Sequence, residues 1–485
     1  MPGVPNGLLI PIFSMDFEPD RSQIGGGVLP HAFLIIGQKT AAGTLPAETM
    51  KQVFNANEVL VDAGVGSMAH AMSIDYFDNN RFTDCYIILL DDAATSTAAT
   101  RTITFAGPAT ENGEIAIYIN GTRVVVAVAD EDDATDMGDT FVAKLSDFPE
   151  LPWTGVNAAG VVTMTCKNKG IAAGDNDMRH SLNAGEAPPA GTSVTIGATT
   201  PGMVDPDVQD ALDAIGDKWI TALANPYSDT TNMDAIETYL EARFLPLDQK
   251  DGYCYQCKRG TVSELVTFAT NASRNSKMMN LLDAEKYKTS IYQLAAAWGG
   301  ACIGSIQFDA GQPLHRLEVK GILPNELSER RTPTERQTLA NNGVCSLVHD
   351  PGVYTNTTVT MYLKNSAAVR DTSYQFQNTL YILQAARYDF NTALALKYPR
   401  ARLALSADRV RPGIQIITPS IARDEAISWF IRMEKAGLFD GGYFDDFKRD
   451  LVVAKDETEK NRLNWLLPPK LIEQLIVSNA ITQFS

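Results

Sequence analysis

The sequence is poor in the residues from which catalytic and metal sites are built. It holds five histidines in 485 residues: His31, His70, His180, His315 and His349. None stands at metal-ligand spacing from another histidine or a carboxylate, as in H-E-x-x-H. There is no G-x-S-x-G, no Walker loop and no G-x-G-x-x-G after a strand pattern. Gly25-Gly26-Gly27 precedes an apolar strand pattern instead of opening a helix, so it cannot cradle phosphate at a helix start. His70 falls between Met68 and Met72 in a helical pattern and reads as a packed or surface histidine. Long apolar runs are also missing. No stretch of about 18 apolar residues occurs, so no membrane span is expected. Met1 to Asn6 has no basic segment leading into an apolar one, so no secretory signal is expected and the chain should be made in a cytoplasm. Basic charge is in deficit, with 41 Lys and Arg against 58 Asp and Glu and a net of −17. That excludes binding to phosphate backbones as the main task, and no nucleic-acid partner is expected.

Six cysteines are present: Cys85, Cys166, Cys254, Cys257, Cys302 and Cys345. Cys254-Tyr-Gln-Cys257 is a lone C-x-x-C. Zinc would need two further ligands, and a thioredoxin-like site would place the motif at a helix start after a first strand. Buried, inert thiols are the plainer reading. Gly252 and Gly260 nevertheless suggest an exposed loop around the motif, where Lys258 and Arg259 would favour the thiolate. The acidic run Asp130-Glu131-Asp132-Asp133 lacks the calcium-loop pattern and reads as a solvated turn, as does Asp175-Asn176-Asp177. No metal and no cofactor are expected.

What the chain does have is a clear alternation of patterns. Its length suggests roughly three domains at about 150 residues each. Leu8, Leu9, Ile10, Ile12 and Phe13 form an apolar segment broken by Pro11, which predicts an edge strand or an arm over residues 1–28. From Ala32 a β-α-β alternation begins. Phe33 to Ile36 reads as a buried strand, Pro46 to Phe54 as a short helix, a second helix starts near Ser67, and Cys85 to Leu90 is the next strand. Residues 94–199 read as strands and turns, with Asn120-Gly121 the strongest hairpin signal in the chain. This segment, with 6 basic and 13 acidic residues, is expected to be an all-β domain inserted in the α/β one and pointing outward.

After Pro201 the α/β pattern returns. A helix is predicted over Val204 to Ile215, a strand over Trp219 to Ala224 and a helix over Asp234 to Phe244. Ser263 to Trp298 reads as mostly helical, and 323–339 as a surface loop with a short helix. The last unit, 371–460, opens with a long helix ended by Pro399. Ile414 to Ile417 is then a strand, and Ser420 caps a helix carrying Ala426, Trp429, Phe430 and Met433. Residues 461–485 form a linker and arm, with a helical turn over Lys470 to Leu475 and a strand over Ile476 to Phe484. Charge divides along this line. Residues 1–370 hold 26 basic against 44 acidic side chains, whereas 371–485 hold 15 against 14.

The order of these parts resembles the tail sheath proteins of contractile phages, in their Mu-like branch. The resemblance rests on the Ile10-Pro11 arm and on Phe33-Leu34-Ile35-Ile36-Gly37-Gln38. It continues with Ile117-Tyr118-Ile119-Asn120-Gly121 and with Gly170 to Asp177 in the insertion. It closes with Arg411-Pro412-Gly413, Asn461-Arg462-Leu463, Leu466-Leu467-Pro468-Pro469, Leu475 and Ile481-Thr482-Gln483-Phe484. It implies a structural subunit, not an enzyme, that stacks in six-fold rings around a tail tube. Contraction would then drive the tube through a host envelope. The implied fold is a discontinuous α/β middle domain, 29–93 with 200–370, of the subtilisin-like sheath type. To it are added the β insertion, a C-terminal α/β domain on the inside, and extended N- and C-terminal arms. The implied partners are neighbouring sheath subunits, the tube, the baseplate and the tail terminator, in a virion and without membrane insertion. Leu8, Leu9, Ile10, Ile12, Phe13, Ile476, Val477, Ile481 and Phe484 would make the arm contacts. In a released virion Cys254 and Cys257, with Cys302 and Cys345 as partners, would be candidates for disulfides between neighbours. A virion or surface-layer decoration protein, and a hydrolase of subtilisin-like fold, are the alternatives.

Overall fold

A computed structural model describes residues 29–406 and 414–482. Leu8, Leu9, Ile10, Ile12, Phe13 and Phe484, all arm candidates, lie outside the described residues. By contact density the chain divides after Tyr381, which is further along than the boundary at 371 expected from sequence.

In the unit 30–381 the chain opens with β1 (Ala32–Gln38), β2 (Met50–Val53), α1 (Ala56–Ala63), α2 (Met68–Asn79) and β3 (Asp84–Leu90). Every residue of β1 is buried, as an unbroken apolar run on a two-sided parallel strand requires. The helix expected over Pro46 to Phe54 is not formed. Met50 to Val53 pair antiparallel with β3 instead, because the open edge of β3 outweighs a weak local helix preference. The first helix starts later, where the Asn55 side chain caps it by accepting from Glu58 N. Helix α2 starts next to Ser67 as expected, and the Ser67 side chain caps it by accepting from His70 N.

The insertion carries β4 (Ala98–Ala106), β5 (Gly113–Ile119), β6 (Thr122–Val128), α3 (Ala134–Leu145), β7 (Trp153–Ala158), β8 (Val161–Lys169), β9 (Met178–His180) and β10 (Ser193–Ile196). They form two sheets, β10-β4-β8-β7 and β6-β5-β9. The hairpin turn is where the sequence puts it, with Asn120 at φ 49° and Gly121 at φ 82°, the left-handed pair of a type I′ turn. The insertion is not all-β. Its α3 begins at the acidic run itself: Asp133 accepts from Thr135 N and Asp136 N in a capping box, and Asp132 holds Ala129 N at 2.7 Å. The carboxylates predicted to be a solvated turn are thus partly a helix start.

The core resumes with α4 (Gln209–Ala214), β11 (Ala222–Ala224), α5 (Thr230–Phe244), β12 (Tyr253–Lys258), α6 (Val262–Ala269), β13 (Met279–Asp283), α7 (Ile291–Phe308), α8 (Pro333–Asn341), β14 (Val344–Asp350) and β15 (Gly352–Thr357). Here the patterns over-read length. The helix over 204–215 is only its second half, and the strand over 219–224 only its last three residues. The stretch 263–298 is not mostly helical, because the fully buried β13 interrupts it. Its five residues are too few to show a period. The sheet order is β15-β14-β13-β12-β11-β1-β3-β2, parallel throughout except at the two outer strands. Helix α7 comes close to this sheet at Gly299 and close to α2 at Gly300 because neither residue carries a side chain. A Cβ on Gly299 would come 2.9 Å from Phe33 Cζ, and one on Gly300 2.9 Å from Tyr76 Cδ2.

Helix α9 (Gln377–Lys397) precedes β16 (Arg402–Leu403), β17 (Ile416–Ile417), α10 (Pro419–Lys435), α11 (Phe444–Asp450), β18 (Val452–Lys455) and β19 (Leu463–Leu466). Thr418, not Ser420, caps α10, with Pro419 at the first helical position. The turn of helix expected over 470–475 is absent, and Ile476, Val477 and Ile481 carry no strand in the isolated chain.

Replacing Gly299 by valine should destabilise the chain by about 1–3 kcal/mol, as overpacking of a tight core does. Urea unfolding of the full chain measures it. An unchanged midpoint would mean that α7 does not rest on Phe33 as described.

Candidate assembly surfaces

In open α/β sheets ligands bind beyond the carboxyl ends of the strands, where the chain switches sides. Here that point lies between β1, which leads to β3 on one side, and β11 on the other. The crevice is filled by protein. Gln38 Nε2 donates to Asp92 Oδ1 and to Lys169 O, both at 2.7 Å. Asn168 Nδ2 donates to Lys39 O at 2.8 Å, and Asn168 Oδ1 accepts from Met68 N at 2.9 Å. The end of β8 in the insertion thereby closes the sheet and satisfies the first turn of α2.

The segment 170–177, singled out by sequence, continues this junction. Gly170 has φ 108°, and a Cβ there would meet Asp205 Oδ1 at 2.5 Å, so only glycine fits. Asp205 Oδ1 accepts from Ala172 N at 2.9 Å. Arg259 Nε donates to Asp175 Oδ1 at 2.6 Å while its other nitrogens donate to Tyr287 O and Thr289 O. Tyr292 OH donates to Asn176 Oδ1 at 3.1 Å. Asp175 and Asn176 are fastenings between insertion and core, not the solvated turn that the sequence alone suggests. Among the described residues no group of three or more His, Cys, Asp or Glu is placed to hold a metal ion.

The exposed loop expected around the C-x-x-C is not formed, and the plainer reading of buried thiols fits the structure. Cys254 and Cys257 are not in an exposed loop but in the central strand β12, and Cys302 and Cys345 lie in α7 and β14. All six thiols are free and buried. Burial raises each of these four thiols well above its ordinary pKa, away from the reactive thiolate. The glycines at 252 and 260 mark the two ends of a strand, not a loop around it.

The unit 382–482 is held by aromatic packing. Phe430 lies 4.6 Å from Phe447, Trp429 4.9 Å from Phe439, and Phe390 5.2 Å from Trp465, measured between ring centroids. Trp429 Nε1 donates to Ala386 O at 3.0 Å, and Arg432 pairs with Asp389 at 2.7 Å. On this body sits the hairpin of β18 and β19, in register from Val452↔Leu466 to Lys455↔Leu463. It is a two-stranded sheet with both outer edges unpaired among the described residues. Such a ribbon is marginal alone and is a template for a further strand. After it, Leu471 bridges Phe439 and Ile472 N donates to Leu438 O at 3.0 Å. Beyond that the chain runs exposed, with Leu475 at 74%, Val477 at 77% and Ile481 at 85% exposure. The tail and the ribbon therefore leave apolar side chains and main-chain groups open to another chain.

Comparison with known proteins decides the matter. The chain is 30% identical over 483 residues to the Mu-like prophage FluMu tail sheath protein of Haemophilus influenzae, covering 99% of this chain and 98% of that one. The chain belongs to the phage tail sheath family. Residues 202–360 match the family profile described as the phage tail sheath protein central domain. A sheath tail protein from Listeria innocua has a similar fold, with a TM-score of 0.50, 10% identity and 94% of each chain covered. One from Desulfitobacterium hafniense aligns over 95% of this chain and 100% of its own, with a TM-score of 0.49 and 12% identity. This sheath protein is a structural subunit of a contractile tail system and not an enzyme, which removes the hydrolase alternative. No helix among its described residues is long and apolar enough to cross a membrane.

Native sheath protein should run as monomer in both lanes of reducing and non-reducing electrophoresis. Its thiols should react with a thiol reagent only after denaturation. A reductant-sensitive ladder of oligomers would show that at least one of these strands opens in the assembled state.

Proposed function

We propose that this sheath protein polymerises around a tail tube and contracts to drive the tube through a host envelope. Its partners in this reading are neighbouring copies of itself, the tube, the baseplate and the tail terminator, within a virion. Family membership carries the reading, and the hairpin of β18 and β19 gives it a physical basis. The arms supply what that hairpin lacks. Leu8, Leu9, Ile10, Ile12 and Phe13 from one side, and Ile476, Val477, Ile481 and Phe484 from the other, would pair as added strands on the outer edges of neighbours' hairpins. Pro11 is tolerated only on such an edge. Contacts of this kind between identical chains do not close, and therefore build a helical stack. Strand-swapped arms would keep subunits linked while their bodies rotate and slide.

In the same reading the nearly neutral residues 371–485, with the N-terminal arm, form the inner layer, and the acidic insertion 94–199 lies outermost. A closely packed inner layer tolerates little like charge. The α/β core corresponds to the subtilisin-like sheath type, a reading supported by its parallel sheet, in which β1 leads to β3 on one side and β11 lies on the other. Contraction then needs no nucleotide: an extended lattice assembled in a metastable state releases its energy as new lateral contacts form.

Removing residues 1–20, or residues 473–485, should abolish tube-like polymers in electron micrographs and leave the thermal unfolding of the monomer within a few degrees of the intact chain. Normal tubes from either truncated chain would sink the arm reading. Flat sheets from the intact chain would favour a surface-layer or decoration protein instead.

A further inference from the structure

Between α7 and α8 the chain runs from 309 to 332 with no regular structure beyond the 3-10 turn Leu327–Glu329. Connections of this length without helix or strand are uncommon in compact domains and are usually functional. This one is tied down at five places. At its start it pairs with the outer edge of β15, where Arg316 N donates to Thr355 O at 2.7 Å and Val319 N to Val353 O at 2.9 Å. It next crosses α2. Lys320 N donates to Asn79 Oδ1 at 2.8 Å, and Asn79 Nδ2 donates back to Lys320 O at 3.1 Å. Gly321, at φ 81°, passes over Asp75, and a Cβ there would be 3.0 Å from Asp75 Oδ1. It then reaches the insertion. Leu323 covers the hairpin turn so closely that a Cβ on Gly121 would lie 2.8 Å from Leu323 Cδ1, and Glu329 pairs with Arg179 at 3.1 Å. Its far end is anchored on β13, where Arg331 pairs with the fully buried carboxylate of Asp283 at 2.8 Å.

We propose that residues 316–331 are a strap that holds the β5-β6 hairpin and β9 of the insertion against the α/β core, and that lifting it from α2 frees that hairpin while the joint at 168–176 stays fastened. The anchors differ in kind. Arg331 and Asp283 form a buried charge pair whose separation would strand a charge in the core. The seat on α2 has no such pair. Asp75 Oδ2 accepts from Gln293 Nε2 at 2.8 Å, so α7 offers only a neutral amide. Its own helix adds Asp78, a like charge, and the strap brings the exposed Lys320. Burial, with Asp78 adding to it, raises the Asp75 carboxyl to about pH 7.

The sign follows from linkage. A carboxyl with a raised pKa in the closed state favours closure while it keeps its proton, and that support is lost as pH rises through about 7. Above it, a carboxylate under Gly321 gains solvation if the strap lifts. The seat should therefore be firm in mildly acidic solution and loose in alkaline solution, while the end at Arg331 stays anchored.

Hydrogen–deuterium exchange on the full chain at about pH 6 and about pH 8.5, corrected for intrinsic rates, tests this. At the higher pH the amides of 316–323 should exchange faster, by up to about 10-fold for a carboxyl that titrates near 7 in the closed state. Amides 117–123 and 178–181 of the insertion should follow. Asp75→Asn should remove the pH dependence, and Asn79→Ala should speed exchange of both segments at either pH. Exchange in the strap that ignores pH would overturn the proposal. So would a strap that opens while the insertion amides do not respond, or a rise that includes β1, which marks general loosening.

Discussion

Six parallel strands buried on both faces leave a sheath subunit little freedom in where to put polar groups. Helices cover the faces, and backbone amides are paired along each strand, so the carboxyl end of the sheet is where unsatisfied groups collect. In α/β enzymes that end is left open for a ligand. Here Gln38 Nε2 is held by Asp92 and Lys169 O, and Met68 N by Asn168. The insertion plugs this end of the sheet. From this follow the glycine at 170, the fixed turn at 172–174 and the arginine at 259, each placed to hold the plug.

How much of this was legible in the sequence depended on the range of the interaction. Signals within a few residues are legible: the Asn120-Gly121 turn, the helix start near Ser67, the long helix before Pro399. Signals that need a distant partner are not. Met50 to Val53 looks helical until the edge of β3 is present, and β13 is too short to declare itself between two helices. The cysteines failed for the same reason. Flanking glycines and cations suggested an exposed loop, but Cys254 and Cys257 sit in β12 between β11 and β13, which no local feature reports. The family resemblance was legible because it rests on the order of parts, which does not require knowing how they pair. It did not reveal that 170–177 is a joint.

The two units meet their polar demands differently. Residues 30–381 pair both outer strands of their sheet inward, and the edge of β15 is further covered by Arg316 to Val319. Residues 382–482 leave the β18–β19 ribbon open on a body packed with Trp429, Phe430 and Phe447. A rigid aromatic base under an unfinished ribbon is a sensible division of labour for a subunit that must fold before it assembles. The base fixes where the ribbon points, and the outer edges of the ribbon stay open.

An added strand on a ribbon only four residues long forms few main-chain hydrogen bonds. At about 0.5–1.5 kcal/mol net for each, four of them contribute roughly 2–6 kcal/mol. That is too little for two free subunits to stay together at low concentration, since micromolar affinity requires about 8 kcal/mol. The weakness suits the role. A subunit with exposed apolar tails must not pair with the first copy it meets. Once a ring offers it several edges at once, the second contact forms at high effective concentration and the affinities multiply. In the proposed assembly, weak single contacts and strong collective ones would keep the chain monomeric until a template is present. They would also allow each joint of that assembly to bend without any one of them having to break.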